Sequence, residues 1–359
     1  LRILALYISR EFLKLFGFLM VGFVSIYTIF DFIEKVDNFQ EAGVPTSTML
    51  TFFFLQIPAL TSLLMPLAVL MATVITLGLM AKHNEIVAIK TAGVSIFRLS
   101  LPIMLLAIAL ALSSALLNEA VVPRTKEQTN YIWEVLVQKR PGPTYQKEKF
   151  WYKGRNSIYS VGFFDPYSLT LSNVVYYRFD KAFNLALRVD AKQVRYLNGQ
   201  WVFYSGLSQK RLPSGGYSAA SFERKIVDLP EEAADFSRMA KPSEEMGFVE
   251  LARYVRKVEK EGHNSRRYRV DLQAKISFPF VCFIMALWGI ALSLFREGGR
   301  ALAPGVVLGL GVALVYWVGF SYARSLFGYS GVLPPVLAVW LPNGVFGLAG
   351  LWFLTSIRQ

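Results

Sequence analysis

Six uncharged runs constrain this chain more than any other feature of its sequence: Leu15 to Phe30, Ala42 to Ala81, Leu99 to Asn118, Ile276 to Phe295, Ala301 to Ala323 and Ser325 to Ile357. A bilayer core ~30 Å thick takes roughly 20 helical residues, and only a helix satisfies its own backbone in lipid. The runs predict six transmembrane helices, three on each side of a polar central block. The Ala42 to Ala81 run is too long for one span and carries Pro45, Pro58 and Pro66. It predicts a short interfacial segment followed by one long, kinked span. Ser325 to Ile357 opens with Gly328, Gly331 and Pro334-Pro335, so its first third reads as a loop and the sixth span starts near Val336.

Orientation follows from the short loops. Arg2, Arg10 and Lys14 precede the first run, whereas Glu34 to Glu41 holds Glu34, Asp37 and Glu41 against Lys35. Basic loops stay cytoplasmic, which puts the N-terminus inside. Lys82, Lys90 and Arg98 after span two, Arg296 and Arg300 after span four, and Arg358 at the end agree with it. The first run reads as an uncleaved span in preference to a leader, because it passes into Asp31-Phe-Ile-Glu-Lys35 without a small-x-small site.

The central block is then extracytoplasmic and reads as β. Phe150 to Tyr152, Ser157 to Val161, Asn173 to Phe179, Asn184 to Val189, Gln193 to Leu197, Gln200 to Tyr204 and Ser221 to Val227 are aromatic and β-branched runs. Asn198-Gly199 between two of them is a hairpin signal. At least seven short strands predict an all-β insertion of sandwich or jelly-roll type. From Phe248 to Lys260 the apolar residues change to helical spacing. The expected division is 1–123 for spans one to three, 124–263 for the β domain and its connecting helix, and 264–359 for spans four to six.

A net charge of +13 invites a nucleic-acid reading, but many of the cations flank apolar runs, where lipid phosphate is the nearer anion. One cysteine, Cys282, excludes an intrachain disulfide, and with only His83 and His263 there is no ligand set for zinc. No GxxxxGK[ST] loop and no credible Ser/His/Asp set occur, so a self-contained enzyme is not expected. A transporter of this make-up runs on an ion gradient or borrows an ATPase. The span centres lack the charged relay groups of a gradient-driven carrier.

The loop after span two bears on that choice. Lys82-His-Asn-Glu-Ile-Val-Ala-Ile-Lys-Thr-Ala-Gly-Val-Ser95 predicts a short amphipathic helix over 82–93, with Asn84 as cap, Glu85 at its positive end and Lys90 near its negative end. It would serve as a lever for a cytoplasmic partner, or lie at the interface with no partner. The stretch from Asn84 to Ser95 resembles the coupling-helix signature of the lipopolysaccharide-export ABC permeases, the LptF/LptG family. Similar to that family are also Asp31-Phe-Ile-Glu-Lys-Val-Asp37, Pro66-Leu-Ala-Val-Leu-Met-Ala72, Arg267 to Pro279, and Leu333-Pro-Pro335, with the span-one exit nearer to LptG.

The resemblance implies a non-catalytic, multi-pass subunit of a Gram-negative inner membrane, with both termini cytoplasmic and a periplasmic β-jelly-roll. It implies a heterodimer with an LptF-type permease and two LptB-type ATPases that bind the ATP and Mg; this chain itself carries no cofactor. LptC-type and LptA-type bridge proteins would take the lipopolysaccharide onward. Asn84, Glu85, Ile86, Ile89 and Gly93 would form the ATPase coupling site. For the lipid, a cavity rimmed by cations is expected from Asp31, Lys35, Arg124, Lys126, Arg267, Lys275 and Arg324, with Arg266 and Arg269 nearby. The plainer alternative is that these cations reach ordinary headgroups or pair with Glu119, Glu127 and Asp271. Asp31 and Arg324 close spans one and five on one side and are expected to meet, within the subunit or across to its partner. Gly305, Gly309 and Gly311 would let span five approach a second subunit. Tyr316, Trp317, Phe320 and Tyr322 would line the acyl cavity. Another lipid exporter, or an assembly protein without transport, is the competing class.

Overall fold

The computed structural model describes residues 2–139, 144–146, 149–153, 157–165, 169–180, 184–197, 200–212, 216–227, 229, 242–260, 264–294 and 302–356. They form two compact units, Leu1–Gln138 with Ser243–Gln359, and Lys139–Pro242. The boundaries expected at 124 and 263 are corrected to 139 and 242. Arg124 and the helix Phe248–Lys260 belong to the first unit because their neighbours pack there: Val122 and Pro123 are buried, and Leu251 and Val255 cluster with Tyr268. Arg296, Arg300, Arg358 and the Asn198-Gly199 step lie outside the described residues.

In the first unit, α1 (Arg2–Glu41) and α2 (Thr46–Lys82) are joined by a turn in which Gly43 takes φ 70. There is no separate interfacial segment before α2. Pro45 ends the turn and the helix begins at Thr46, with Pro58 and Pro66 carried inside one continuous helix. Helix α3 (Glu85–Thr91) follows, then α4 (Ile96–Ala120), α5 (Val122–Tyr131) and a π-helical turn (Ile132–Val137). After the β unit come a 3-10 turn (Ser243–Glu245), α6 (Phe248–Lys260), α7 (Arg266–Ser277), α8 (Phe280–Leu294), α9 (Leu302–Tyr322), a second π-helical turn (Ala323–Tyr329) and α10 (Pro335–Ser356).

Five of these helices, α1, α2, α4, α9 with its π turn, and α10, have the length and hydropathy of a membrane span. The sixth is the pair α7 and α8, bent by 48°. The bend has a cause. Pro279 has no amide hydrogen, Val281 and Cys282 turn to the carbonyls of Phe278 and Pro279, and the carbonyl of Ser277 instead accepts from Asn343 Nδ2 at 2.9 Å. A polar side chain of α10 thus satisfies a carbonyl that the bend leaves open when Val281 turns to Phe278, as lipid-embedded backbone requires. Helices α2 and α8 form the centre of the bundle. Gly289 lets them touch, since a Cβ there would lie 2.6 Å from Thr73.

The second unit is one antiparallel sheet of β1 (Thr144–Gln146), β2 (Lys149–Lys153), β3 (Ser157–Asp165), β4 (Thr170–Phe179), β5 (Leu185–Leu197), β6 (Gln200–Arg211) and β7 (Tyr217–Val227). The inserted all-β domain is as read from the sequence. Its order, however, is sequential: each described strand pairs with its chain neighbours in a meander, and the Greek-key crossing of a jelly roll is not among the described pairings. Asn184 to Val189 and Gln193 to Leu197, read as two strands, are one, because Asp190 and Ala191 continue the ladder against Leu207 and Gly206. Tyr159, Val161, Val174, Tyr176, Val189, Val194, Trp201 and Phe203 form the core of this unit on one face.

Candidate functional site

A cavity of about 520 Å³ opens within the helical unit, walled by α1, α2, α4, α5, both π turns, the 3-10 turn, α7 and α9. It collects Asp31 and Lys35 from α1, Lys126 from α5, Lys275 from α7 and Arg324 from the second π turn. Five of the seven residues expected at the lipid site therefore converge. The other two do not line it. Arg124 is exposed, and Arg267 lays its guanidinium over the ring of Tyr329 at 4.9 Å.

The convergence has a backbone origin. Helix α1 is 40 residues long, about 60 Å at 1.5 Å per residue, so its last third reaches past the apolar layer and brings Asp31 and Lys35 to the rim. Each π turn carries a cavity residue, Trp133 on the first and Arg324 on the second. Such irregular turns re-aim side chains that a regular helix would direct elsewhere.

The charges are partly committed to one another. Lys35 Nζ donates to Asp31 Oδ1 at 2.5 Å and lies 5.4 Å from the centroids of both Phe52 and Trp133. The second carboxylate oxygen of Asp31 is buried without a hydrogen-bond partner among the described residues. Arg324 donates from Nη2 to Asp271 Oδ1 at 2.7 Å and from Nε at 3.2 Å; the Tyr329 hydroxyl donates to the same oxygen at 2.6 Å, and Ser243 Oγ to Oδ2 at 2.6 Å. The expected meeting of Asp31 with Arg324 inside the subunit is corrected: each takes a nearer partner, although both line the same cavity. Lys126 and Lys275 have no ion-pair partner among the described residues.

The rest of the lining is apolar or neutral. Phe52, Trp133, Phe278, Trp317 and Phe320 supply aromatic wall. Ser62 bridges Ser114 at 3.0 Å and Asn118 at 2.5 Å, tying α2 to α4 beside it. Of the aromatics expected there, Trp317 and Phe320 line the cavity. Tyr316 is instead buried and donates to Asn343 Oδ1 at 2.5 Å, and Tyr322 is exposed. The span-five glycines serve the subunit's own packing: a Cβ at Gly305 would meet Val74 and one at Gly309 would meet Met71, both on α2, while Gly311 faces open space.

Sequence reasoning treated Asp271 only as a counter-ion and missed Glu244 and Trp133 in the lining. Asp271 carried a signal, standing one helical turn before Lys275 in a segment leading into a span. Trp133 was hidden because the boundary at 124 assigned it to the β domain, and Glu244 sits in a short turn with no pattern of its own.

Helix α3 is shorter than the predicted 82–93 and seated differently. Asn84 stands at the cap position in a left-handed conformation (φ 59) and its side chain makes no cap hydrogen bond, which corrects its expected role. The other end is as the pattern demands: Gly93 at φ 79 lets Gly93 and Val94 donate to the carbonyls of Lys90 and Ile89. Ile86 is buried and Ile89 packs beside it in the cluster that contains Ile8, Phe12 and Leu99. These two isoleucines root the helix in the bundle, and the outward residues are Val87, Ala88 and Thr91. Glu85 Oε1 accepts from the Tyr7 hydroxyl at 3.4 Å.

Six apolar spans, an inserted antiparallel sheet and a cleft that sets charged side chains beside an aromatic wall define a multi-pass membrane protein. Residues 6–356 match the family of lipopolysaccharide export system permeases LptF/LptG, and the chain belongs to that family. Among its relatives are the lipopolysaccharide export system permease protein LptG of Haemophilus influenzae, 21% identical over 367 residues with 98% of each chain covered, and LptG of Escherichia coli K12, 23% identical over 354 residues with 95% of each covered.

Proposed function

We propose that this chain is the LptG-type subunit of an ATP-driven exporter, taking lipopolysaccharide from the outer leaflet of the inner membrane. In this reading the termini are cytoplasmic, the β unit is periplasmic, and an LptF-type permease and two LptB-type ATPases complete the machine. The observation that carries it is the cavity. Its lining sets four cations against three carboxylates; once Lys35–Asp31 and Arg324–Asp271 are paired, Lys126 and Lys275 stand beside Glu244 alone among the described residues of the lining, which leaves a net positive charge for an external anion. A phosphorylated sugar head would take them, with acyl chains along Phe52, Phe278, Trp317 and Phe320.

The volume supports a two-subunit site. About 520 Å³ is the size of a pocket for a drug-sized ligand and too small for a glycolipid with several chains. The second half would come from the partner, against the exposed apolar faces of α1 and α9. Glu85, held on a rooted helix, would receive the push of the ATPase, with Val87, Ala88 and Thr91 as the contact face. Strand β7, eleven residues long and largely exposed, would be the edge for an LptC-type bridge protein, because an open strand pairs readily with another chain.

The test uses the assembled complex in proteoliposomes. Lys126→Ala with Lys275→Ala should raise the lipopolysaccharide concentration needed for half-maximal stimulation of ATP hydrolysis by roughly ten-fold or more per lost charge-assisted contact, with basal hydrolysis unchanged. Unchanged stimulation would overturn the cavity as the lipid site.

A further inference from the structure

Helix α6 carries a feature that neither the cavity nor the lever uses. Arg253, Arg256, Lys257 and Lys260 follow the spacing i, i+3, i+4, i+7, which puts them in one stripe within about 100° of arc. Leu251, Val255 and Val258 form the opposite stripe and are buried. All four cations are exposed. None of them has an ion-pair partner among the described residues. Glu259 on the same helix is turned away, accepting from Ser265 Oγ at 2.7 Å and lying 3.8 Å from Arg269.

The height of the helix is set at both ends. At its start, the carboxylate of Glu119, in the last turn of the span α4, accepts from the amides of Phe248 and Val249. Further along, Tyr254 packs edge-on against Tyr268 of α7 at 5.0 Å. The opening turns of α7 hold Arg266, Arg267, Arg269 and Asp271, too many charges for hydrocarbon. Helix α6 is therefore fixed where two spans leave the apolar layer, which is the level of lipid headgroups.

We propose that this stripe binds the anionic phosphate headgroups of the phospholipids around the protein. The proposal is independent of the cargo reading. Four cations in a row, with no ion pair of their own among the described residues, complement a layer of phosphates at that depth, and each contributes about a five-fold preference for anionic over neutral lipid at low salt. The preference falls once the Debye length drops below the spacing between the groups.

The full-length chain would be placed in nanodiscs of phosphatidylethanolamine alone or mixed with phosphatidylglycerol. Acetylation of Lys257 and Lys260 is then followed by mass spectrometry. The expected result is labelling several-fold slower in the mixed discs at low salt, a difference that vanishes at high salt and shrinks in the variant Arg253→Gln with Arg256→Gln. Both arginines are exposed, and the salt comparison on the unaltered chain stands whatever the variant does. Equal labelling in the two kinds of disc would overturn the proposal. So would protection that arises only when lipopolysaccharide is added, which would assign the stripe to the cargo.

Discussion

Asp271 receives four hydrogen bonds on two buried oxygens, and two segments distant in sequence meet on it, the turn with Ser243 and the π turn with Arg324 and Tyr329. Removing one partner of such a pair leaves a charge without its counterpart. Asp271→Ala is expected to cost about 3 kcal/mol, the lower end for a buried pair because Arg324 is one-third exposed, as a lowered midpoint of thermal unfolding in detergent. Asp31 differs, since among the described residues one of its oxygens has no hydrogen-bond partner and its one ion pair is with Lys35. The cationic character of the rim was legible in the sequence, because charges at the margins of apolar runs are few and each needs a reason. Which carboxylate each cation takes was not. Pairing depends on the π turn at Ala323–Tyr329 and on the return of the chain at Ser243, and neither leaves a periodic trace.

At the scale of elements, the spans were legible from apolar length alone, while their joints were not. The proline at 279 gave no sign of whether the helix would end or bend, and the answer depended on Asn343, 66 residues beyond the Ser277 carbonyl it satisfies. The packing of α2 on α8 through Gly289 is open to test: Gly289→Ala puts a methyl within 2.6 Å of Thr73 and should destabilise the bundle by about 1–3 kcal/mol, measured by thermal unfolding in detergent. For α3, the periodicity announced a helix and missed its seating, because Asn84 adopts a left-handed turn and Ile86 and Ile89 face inward. Ile86→Ala should therefore loosen the lever by about 2–4 kcal/mol, seen as faster hydrogen exchange over residues 85–91. Glu85→Lys should leave that exchange unchanged and abolish lipid-stimulated ATP hydrolysis in the complex. If Glu85→Lys hydrolyses normally, α3 is not where the two subunits couple.

For the whole molecule, the division into a helical unit and a β unit was legible as a change of period from helical to alternating, but its boundaries moved by some fifteen to twenty residues. Apolar stripes such as Leu251, Val255 and Val258 mark a helix without naming the surface that buries it. That shift matters for function, since it brings Lys126, Trp133, Ser243 and Glu244 into the unit that holds the cavity. The cavity is thus assembled from both halves of the chain, before and after the insertion. Its use as the lipopolysaccharide site is tested most directly by a photoreactive residue at Trp317, on the wall, against one at Trp352, exposed on α10. In the assembled complex supplied with lipopolysaccharide, position 317 should give a glycolipid adduct in high yield and position 352 little. Equal yields at the two positions, or none at 317, would contradict the account.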